Sequence, residues 1–148
     1  MYYLQGDIIT GGTIYKDMFV EISDKKITFV GRAPRSYNIP VYKVKGFICP
    51  GFIDIHIHGV DGYDFMDKDA FPFISKLLPM YGVTSFVATS RTAPLSDITS
   101  FLEEASLHQQ YGSKLLGVHL EGPWINLKYT GAQRQSDIRK FTYEDMEE

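Results

Sequence analysis

The sequence predicts an α/β fold in which a run of strands precedes a parallel sheet. Residues 2–48 are rich in aromatic and β-branched residues and are interrupted by glycine and proline, which is typical of strands and turns. Over residues 50–121, three apolar stretches then alternate with two helical patterns. A βαβαβ order of this kind predicts parallel strands with the helices packed outside them.

Composition narrows the function classes before any motif is considered. The chain has 148 residues, 44% of them hydrophobic and 22% charged, with a net charge of −3. This is an ordinary composition for one folded core. The near-neutral charge argues against a nucleic-acid partner, which requires basic patches. Neither a targeting segment nor a membrane span is apparent, so no membrane partner is expected.

The single cysteine, Cys49, excludes an internal disulfide framework and fits a reducing, cytoplasmic location. It precedes Pro50 in an apolar stretch. We therefore expect Cys49 to be a buried small hydrophobic residue and not a nucleophile.

Four N-terminal strands and their turns follow from local signals. Gly11-Gly12 predicts a turn after the first strand, and Ser23-Asp24-Lys25 predicts a hairpin between the second and the third. Residues 34–40 read as a loop bounded by prolines. The predicted strands cover residues 2–9, 19–22, 26–30 and 41–49.

The stretch PGFIDIHIHG, residues 50–59, predicts a strand that carries two imidazoles to its carboxyl end. Side chains of a strand alternate between its faces, so the three isoleucines should share one face. Asp54, His56 and His58 should share the other. Histidines at i and i+2 lie about 6 to 7 Å apart along a strand, which suits joint binding of one metal ion. The alternative is a surface strand with two solvated histidines.

A helix should begin after Asp67–Asp69, whose acidic side chains favour a helix amino terminus. Its buried stripe is predicted to contain Phe73, Ile74, Leu77 and Leu78, and Gly82 should end it. Residues 61–64 are expected to be a plain polar connection.

The next strand is predicted over residues 83–89. Pro94 should open the second helix, and its apolar positions have helical spacing: Ile98, Phe101, Leu102 and Ala105. His108 near the carboxyl end of this helix is expected to act as a helix-end cation and not as a ligand.

The third strand is predicted over residues 115–121, with Leu116, Val118 and Leu120 on one face. His119 and Glu121 then lie on the polar face, and Glu121 ends the strand. Strands one and three would therefore both present metal-ligand side chains at their carboxyl ends. Two histidines and a carboxylate suit zinc or iron.

Two motifs carry a family resemblance. Residues 50–59 resemble the first barrel strand of the amidohydrolase superfamily, whose metal signature is His-x-His after an apolar run. Residues 117–124, GVHLEGPW, and Gly131-Ala132-Gln133 resemble the N-acetylglucosamine-6-phosphate deacetylases. The resemblance implies a (β/α)8 TIM-type barrel, truncated after its first three β-α units. It divides the chain into an N-terminal, sandwich-like β-domain portion, 1–49, and a partial amidohydrolase barrel, 50–148.

The resemblance also implies the site residues. His56, His58 and Glu121 would bind a divalent metal, zinc or iron, and Ala132 and Gln133 would bind substrate. Family members usually have histidine where this chain has Gln133, and the glutamine carries no titrating charge.

For His119, two roles remain open: supporting a metal ligand without touching the metal, and binding the metal directly. Trp124, which follows the Gly-Pro turn, would either cover the core or contact substrate. Asp54 is expected to be structural.

The implied reaction is metal-dependent hydrolysis of N-acetylglucosamine 6-phosphate to glucosamine 6-phosphate and acetate. The partner would be this small amino-sugar phosphate, with a homodimer in the full-length family. No catalytic general base lies in this chain, since the aspartate is expected beyond Glu148, so the chain should be inactive alone. Two alternatives are another amidohydrolase, such as a cyclic amidase or aminoacylase, and a non-catalytic interaction fragment.

Overall fold

The computed structural model describes residues 1–146, which form two compact units. The first covers residues 1–50 and the second begins at Gly51. The first is all β and the second contains strands and helices, so the chain is an α/β protein, as predicted. None of the helices in the described part is long and apolar enough to cross a membrane.

The first unit is a four-stranded mixed sheet in the order β3-β2-β1-β4. Its strands are β1 (Tyr2–Thr10), β2 (Thr13–Ser23), β3 (Lys26–Gly31) and β4 (Val41–Ile48). Strands β1, β2 and β3 pair antiparallel in sequence, whereas β4 pairs parallel with β1. Both predicted turns are present. Asp24 and Lys25 have positive φ angles of 50° and 62°, as a tight two-residue hairpin turn requires.

A buried carboxylate stabilises the interior of this sheet. Glu21 accepts hydrogen bonds from Tyr3 Oη at 2.5 Å and from Thr28 Oγ1 at 2.7 Å. Tyr3 Oη in turn accepts from the backbone N–H of Arg35 at 3.1 Å. These hydrogen bonds, that from Tyr3 foremost, lower the pKa of Glu21. The charge is buried but fully paired with donors, which is the condition for its tolerance in a core.

The second unit is built on the parallel sheet β5-β8-β9, as the βαβαβ order predicts. Its elements are β5 (Phe52–Ile57), β6 (Gly59–Val60), β7 (Tyr63–Asp64), α1 (Ala70–Leu77), β8 (Val83–Ser90), α2 (Leu95–Leu107) and β9 (Lys114–Leu120). Short 3₁₀ turns cover Leu78–Tyr81, Leu127–Tyr129, Gln135–Asp137 and Glu144–Met146.

Both helices pack on one face of this sheet around an aromatic core. Phe86 of β8 contacts Phe65 with ring centroids 5.2 Å apart, and Phe71 of α1 contacts Phe101 of α2 at 5.7 Å. Helix α1 begins directly after Asp69, as predicted, and Gly82 ends the 3₁₀ turn that follows it.

The predicted buried stripe of α1 was partly wrong. Phe73 is 55% exposed and stacks on Tyr63, whereas Phe71, Ile74 and Leu78 are buried. The buried positions are thus i, i+3 and i+7, and Phe73 lies outside that face. In α2, Ile98 and Phe101 are buried as predicted.

Register shifts overturn the predicted three-isoleucine face. Ile53 and Ile55 are 61% and 72% exposed, and only Ile57 packs on the core. Between Asp54 and Ile57, β5 contains one residue more than β8, because Asp54 pairs with Phe86 and Ile57 with Ala88. This bulge reverses the alternation, so Asp54 does not share a face with the two histidines.

A similar shift changes the third strand. Leu115 pairs with Phe86, while Gly117 pairs with Val87, so Leu116 is the extra residue. Leu115 therefore packs on the core in place of the predicted Leu116, which is half exposed. Beyond the bulge, His119 pairs with Thr89 on the face away from the helices.

Two further expectations need correction. Residues 61–64 belong to a hairpin of β6 and β7, in which Asp61 and Gly62 have positive φ angles. Cys49 is exposed, because it follows the last residue of β4 in an irregular connection.

No α-helix follows β9 within residues 121–146, so the described part of the third β-α unit contains its strand but no helix. The acidic residues of 142–148 also predict the start of a helix, whereas the structure has a 3₁₀ turn over Glu144–Met146, and residues 147–148 lie outside the described ones.

Candidate metal centre

Three side chains from two strands converge at the carboxyl end of the parallel sheet. His56 lies on β5, His58 directly follows it, and Glu121 directly follows β9. Glu121 Oε2 is 2.9 Å from Nε2 of His58 and 3.4 Å from Nε2 of His56. One potential ligand atom from each residue lies within 4.8 Å of the other two. The structure therefore brings together the three predicted ligand residues.

The orientation of His58 is determined by the neighbouring strand β8. Its Nδ1 lies 3.2 Å from the carbonyl oxygen of Thr89. A carbonyl only accepts hydrogen bonds, so Nδ1 carries a proton, and in a neutral imidazole this leaves the Nε2 lone pair facing Glu121. The Thr89 hydroxyl also accepts the backbone N–H of Ile57 at 3.1 Å. Thr89 thus supports the end of β5 through two contacts.

His56 is held from its own strand. The carboxylate of Asp54 accepts the backbone N–H of His56 at 3.0 Å. The Asp54 side chain is therefore used in the local turn of the bulge, in agreement with a structural role.

The backbone of Glu121 is held by Thr92, which lies in the loop after β8. The Thr92 hydroxyl donates to the carbonyl oxygen of Glu121 at 3.1 Å. Gly122 follows with a φ of +94°, and a Cβ atom there would collide with the Thr92 hydroxyl. Only glycine combines this backbone angle with so close an approach.

The chemistry of the three residues fits a bound cation. Among the described residues, Glu121 Oε2 is buried and has no hydrogen-bond partner, although two imidazole nitrogens lie near it. An unsatisfied buried carboxylate oxygen is costly. A cation between the carboxylate and the two nitrogen lone pairs would satisfy all three groups. Nitrogen and oxygen donors of this kind suit a divalent transition metal.

Known proteins share this sequence and this fold. The N-acetylglucosamine-6-phosphate deacetylase of Bacillus subtilis (strain 168) is 38% identical over 90% of this chain, which spans 38% of that protein. The N-acetylgalactosamine-6-phosphate deacetylase of Escherichia coli O157:H7 is 35% identical over 68% of this chain, which spans 28% of it. No protein-family model matches the chain.

Solved structures agree with these relatives. The N-acetylglucosamine-6-phosphate deacetylase of Thermotoga maritima superposes on 96% of the chain with a TM-score of 0.77 and 32% identity, and the chain covers 38% of it. This chain is a relative of the N-acetylglucosamine-6-phosphate deacetylases. The resemblance predicted from the two motifs is thereby confirmed.

More distant structures share the fold alone. The N-acetyl-D-glucosamine-6-phosphate deacetylase of Mycobacterium smegmatis is 24% identical, with a TM-score of 0.80 over 99% of this chain and 43% of its own. A D-hydantoinase is 21% identical, with a TM-score of 0.55 over 89% of this chain and 31% of its own. The chain thus corresponds to a part of these longer proteins.

His119 lies beside the three converging residues and is not one of them. Its ring centroid is 4.9 Å from that of His56, in an edge-on arrangement. Its own side chain is exposed on the face of β9 that carries Glu121. This position leaves His119 as a neighbour of the candidate metal centre.

Ala132 and Gln133 line a separate cavity of about 380 Å³. Arg91, Thr92 and Arg134 also line it. The Gln133 side-chain oxygen accepts the backbone N–H of Thr92 at 2.8 Å, so the loops after β8 and β9 are joined there. The sequence contained no signal for the roles of Thr89 and Thr92, because each acts through contacts with main-chain atoms.

Trp124 contacts the C-terminal segment, residues 139–145. Its indole Nε1 donates to Asp145 at 3.1 Å, and its ring meets Phe141 edge-on at 5.6 Å. Arg139 completes this group with an ion pair to Asp145 at 2.6 Å. These contacts join Trp124 to residues 139–145 and leave both roles considered for it, covering the core or contacting substrate, as predictions.

His108 does not behave as the helix-end cation that was expected. Burial lowers its pKa, which favours the neutral imidazole. Its ring lies 5.7 Å from that of Phe71, and within the described part of the chain neither ring nitrogen has a hydrogen-bond partner. The expectation failed because packing against Phe71 of α1 buries both ring nitrogens of this partly exposed histidine.

Proposed function

We propose that this chain contributes the first metal ligands of a deacetylase that hydrolyses the acetamide group of N-acetylglucosamine 6-phosphate. The products would be glucosamine 6-phosphate and acetate. The observation that carries the proposal is the convergence of His56, His58 and Glu121 at the carboxyl ends of parallel strands. Enzymes with barrels of parallel strands place their active sites at that end.

Sequence identity supports the choice of substrate. The Bacillus subtilis relative is named for N-acetylglucosamine 6-phosphate and matches 90% of this chain. The relative named for the galactosamine epimer matches 68%. We therefore take the glucosamine derivative as the substrate and its 4-epimer as the competing substrate for the assay below.

Each residue has a proposed role. His56, His58 and Glu121 bind the metal, zinc or iron, through two neutral imidazole nitrogens and a carboxylate oxygen. When bound, a divalent cation polarises an amide carbonyl and lowers the pKa of water. His119 supports His56 from the adjacent position. Ala132 and Gln133 contact the sugar, with the side-chain N–H groups of Gln133 as donors.

The proposal places the chain within a larger barrel. Strands β5, β8 and β9 would be the first three of eight, and residues 1–49 would be part of a small β-domain. The general-base aspartate and further histidine ligands would come from outside this chain. A homodimer and a cytoplasmic location complete the proposal, the latter because a single unpaired cysteine suits a reducing compartment.

Metal binding by the 148-residue chain tests the centre directly. Titration of the metal-free protein with Co²⁺ should produce visible absorption from a site with nitrogen and oxygen ligands. Affinity should be weak, because only three ligands are present. His58→Gln and Glu121→Gln should each weaken binding by more than about tenfold.

His108→Gln is the matched control, since it removes an imidazole that lies elsewhere in the same unit. Equal binding by the wild type, His58→Gln and Glu121→Gln would contradict the metal centre.

The reaction itself requires the remainder of the enzyme. A chimera should be made in which this chain replaces the matching segment of the Bacillus subtilis relative. Acetate release from N-acetylglucosamine 6-phosphate is expected, and Glu121→Gln should abolish it.

The isolated chain should show no turnover, because loss of a positioned general base alone costs about 10²- to 10⁴-fold. A folded chimera that prefers the galactosamine epimer or a cyclic amide would redirect the substrate assignment.

A further inference from the structure

We propose that Thr92 is a positioning residue for the metal ligand Glu121 and that Gln133 holds Thr92 in place. The inference rests on the metal centre proposed above and extends it to two residues that would not touch the metal. The loop after β8 contributes no ligand of its own. Its function would be to set the position of the carboxylate that follows β9.

The first contact joins Thr92 to Glu121. Thr92 is only 5% exposed, and its hydroxyl donates to the Glu121 carbonyl oxygen at 3.1 Å. Gly122, which has a positive φ angle, packs directly against the same hydroxyl. A ligand at a strand end has no further ladder hydrogen bonds to hold it. The hydroxyl therefore replaces the support that the sheet no longer gives to Glu121.

The second contact holds Thr92 itself. Its backbone N–H donates to the side-chain oxygen of Gln133 at 2.8 Å. Both donors of Thr92, the hydroxyl and the N–H, are thus used within the protein. A residue whose donors are both committed in this way is suited to positioning and not to contact with a substrate. Gln133 keeps its side-chain N–H groups available for the cavity.

The third observation concerns the other ligand strand. Thr89, three residues before Thr92, holds His58 through its carbonyl oxygen at 3.2 Å. The short segment Thr89–Thr92 consequently contacts the ligands that come from both β5 and β9. Because this one segment contacts both ligands, a shift in its position would change the distance between His58 and Glu121. Metal affinity depends steeply on that separation, as bonds to zinc are about 2 Å long.

The experiment compares variants of the full 148-residue chain by metal affinity. Thr92→Val removes the hydroxyl but keeps the branched shape, and Thr92→Ser keeps the hydroxyl. Thr84→Val is the matched control, because Thr84 lies at the opposite end of β8 with its hydroxyl 3.5 Å from the Phe52 carbonyl. Mn²⁺-induced broadening of the histidine ring protons in NMR spectra detects even millimolar dissociation constants.

We expect Thr92→Val to weaken Mn²⁺ and Zn²⁺ binding about 10- to 100-fold, the usual effect of losing a residue that orients a metal ligand. Thr92→Ser should stay within about threefold of the wild type by the same reasoning, and Thr84→Val should bind as the wild type does. If Thr92→Val does not fold by circular dichroism, Gln133→Leu provides the same test from an outer position. It should weaken binding by about three- to tenfold.

The outcomes separate the two proposals. Wild-type protein that binds metal and loses it in Glu121→Gln, together with unchanged binding by Thr92→Val or by Gln133→Leu, overturns the positioning role alone. Absence of any broadening at His56 and His58 in the wild type overturns the metal centre and this inference with it. Equal weakening by Thr84→Val would show a general loss of stability and would also overturn the positioning role.

Discussion

The two units of the chain treat a buried carboxylate oxygen in opposite ways. Glu21, in the N-terminal sheet, is 7% exposed and accepts hydrogen bonds from Tyr3 and Thr28 on its two oxygens. Glu121, at the end of the parallel sheet, has a buried Oε2 with no hydrogen-bond partner among the described residues. The neighbours of the two carboxylates therefore differ: Glu21 has two hydroxyl donors, whereas Glu121 Oε2 has two imidazole nitrogens.

This difference in hydrogen-bond partners distinguishes a carboxylate that stabilises the fold from one that is a candidate ligand. Both oxygens of Glu21 accept hydrogen bonds from the protein, so this carboxylate contributes to folding and is not available to a ligand. The main chain of Glu121 is held by Thr92, while its Oε2 atom lies beside two imidazole nitrogens and accepts no hydrogen bond within the described residues, which is why we propose it as a metal ligand. The same residue type therefore serves two purposes, and the surrounding hydrogen bonds distinguish them.

The largest expected effect comes from emptying part of the aromatic core of the unit that carries Glu121. Phe86 of β8 is fully buried in that core, so Phe86→Ala should lower the free energy of unfolding by about 3–5 kcal/mol. Urea unfolding followed by circular dichroism measures this loss. Phe73→Ala is the matched control on an exposed ring and should cost less than about 1.5 kcal/mol. Similar losses for both would show that the aromatic core does not stabilise the unit.

A smaller effect should separate the two glutamates. Glu21→Gln should destabilise the protein, since the amide cannot accept on both sides from Tyr3 and Thr28. Glu121→Gln in metal-free protein should change stability by no more than about 0.5 kcal/mol, because that oxygen has no hydrogen bond to lose. Midpoints of urea unfolding compare the two. A larger loss for Glu121→Gln would remove the distinction between them.

The pH dependence of Glu21 sharpens this test. Hydrogen bonds from Tyr3 and then Thr28 lower its pKa in the folded state. Its contribution to stability is therefore present above the unfolded pKa of about 4.3, and it is lost as the pH falls through the folded pKa. Wild-type stability should decline over that acidic range. The decline should be shallower in Glu21→Gln, and an identical slope in the two proteins would exclude this origin.

The smallest expected effect concerns His108, whose pKa is lowered by burial. The unfolded state then binds a proton more readily than the folded state, so stability should fall as the pH drops below the unfolded pKa of about 6.5. His108→Phe should remove this loss while keeping the contact with Phe71. Thermal unfolding at pH 7 and pH 5.5 checks the difference. A histidine that remains equally stabilising at both pH values would contradict the effect of burial.

The sequence by itself determined the order of the long strands and the two helices, the two turns of the N-terminal sheet and the three candidate ligands. These features depend on local chemistry. Turn residues with positive φ, helical spacing in α2, and the residue types in His-x-His and His-Leu-Glu are all visible without a fold. Family motifs at this separation were specific enough to indicate the deacetylase relationship.

Only the tertiary structure decided which residues hold those ligands and which apolar residues are buried. The extra residue before Ile57 in β5 reversed the alternation on which the isoleucine face depended. The roles of Thr89, Thr92 and Gln133 arise from hydrogen bonds to atoms on other strands and loops. Strand register and main-chain contacts depend on how distant segments pair. The alternation of apolar and polar residues along a strand does not reveal where a bulge adds an extra residue.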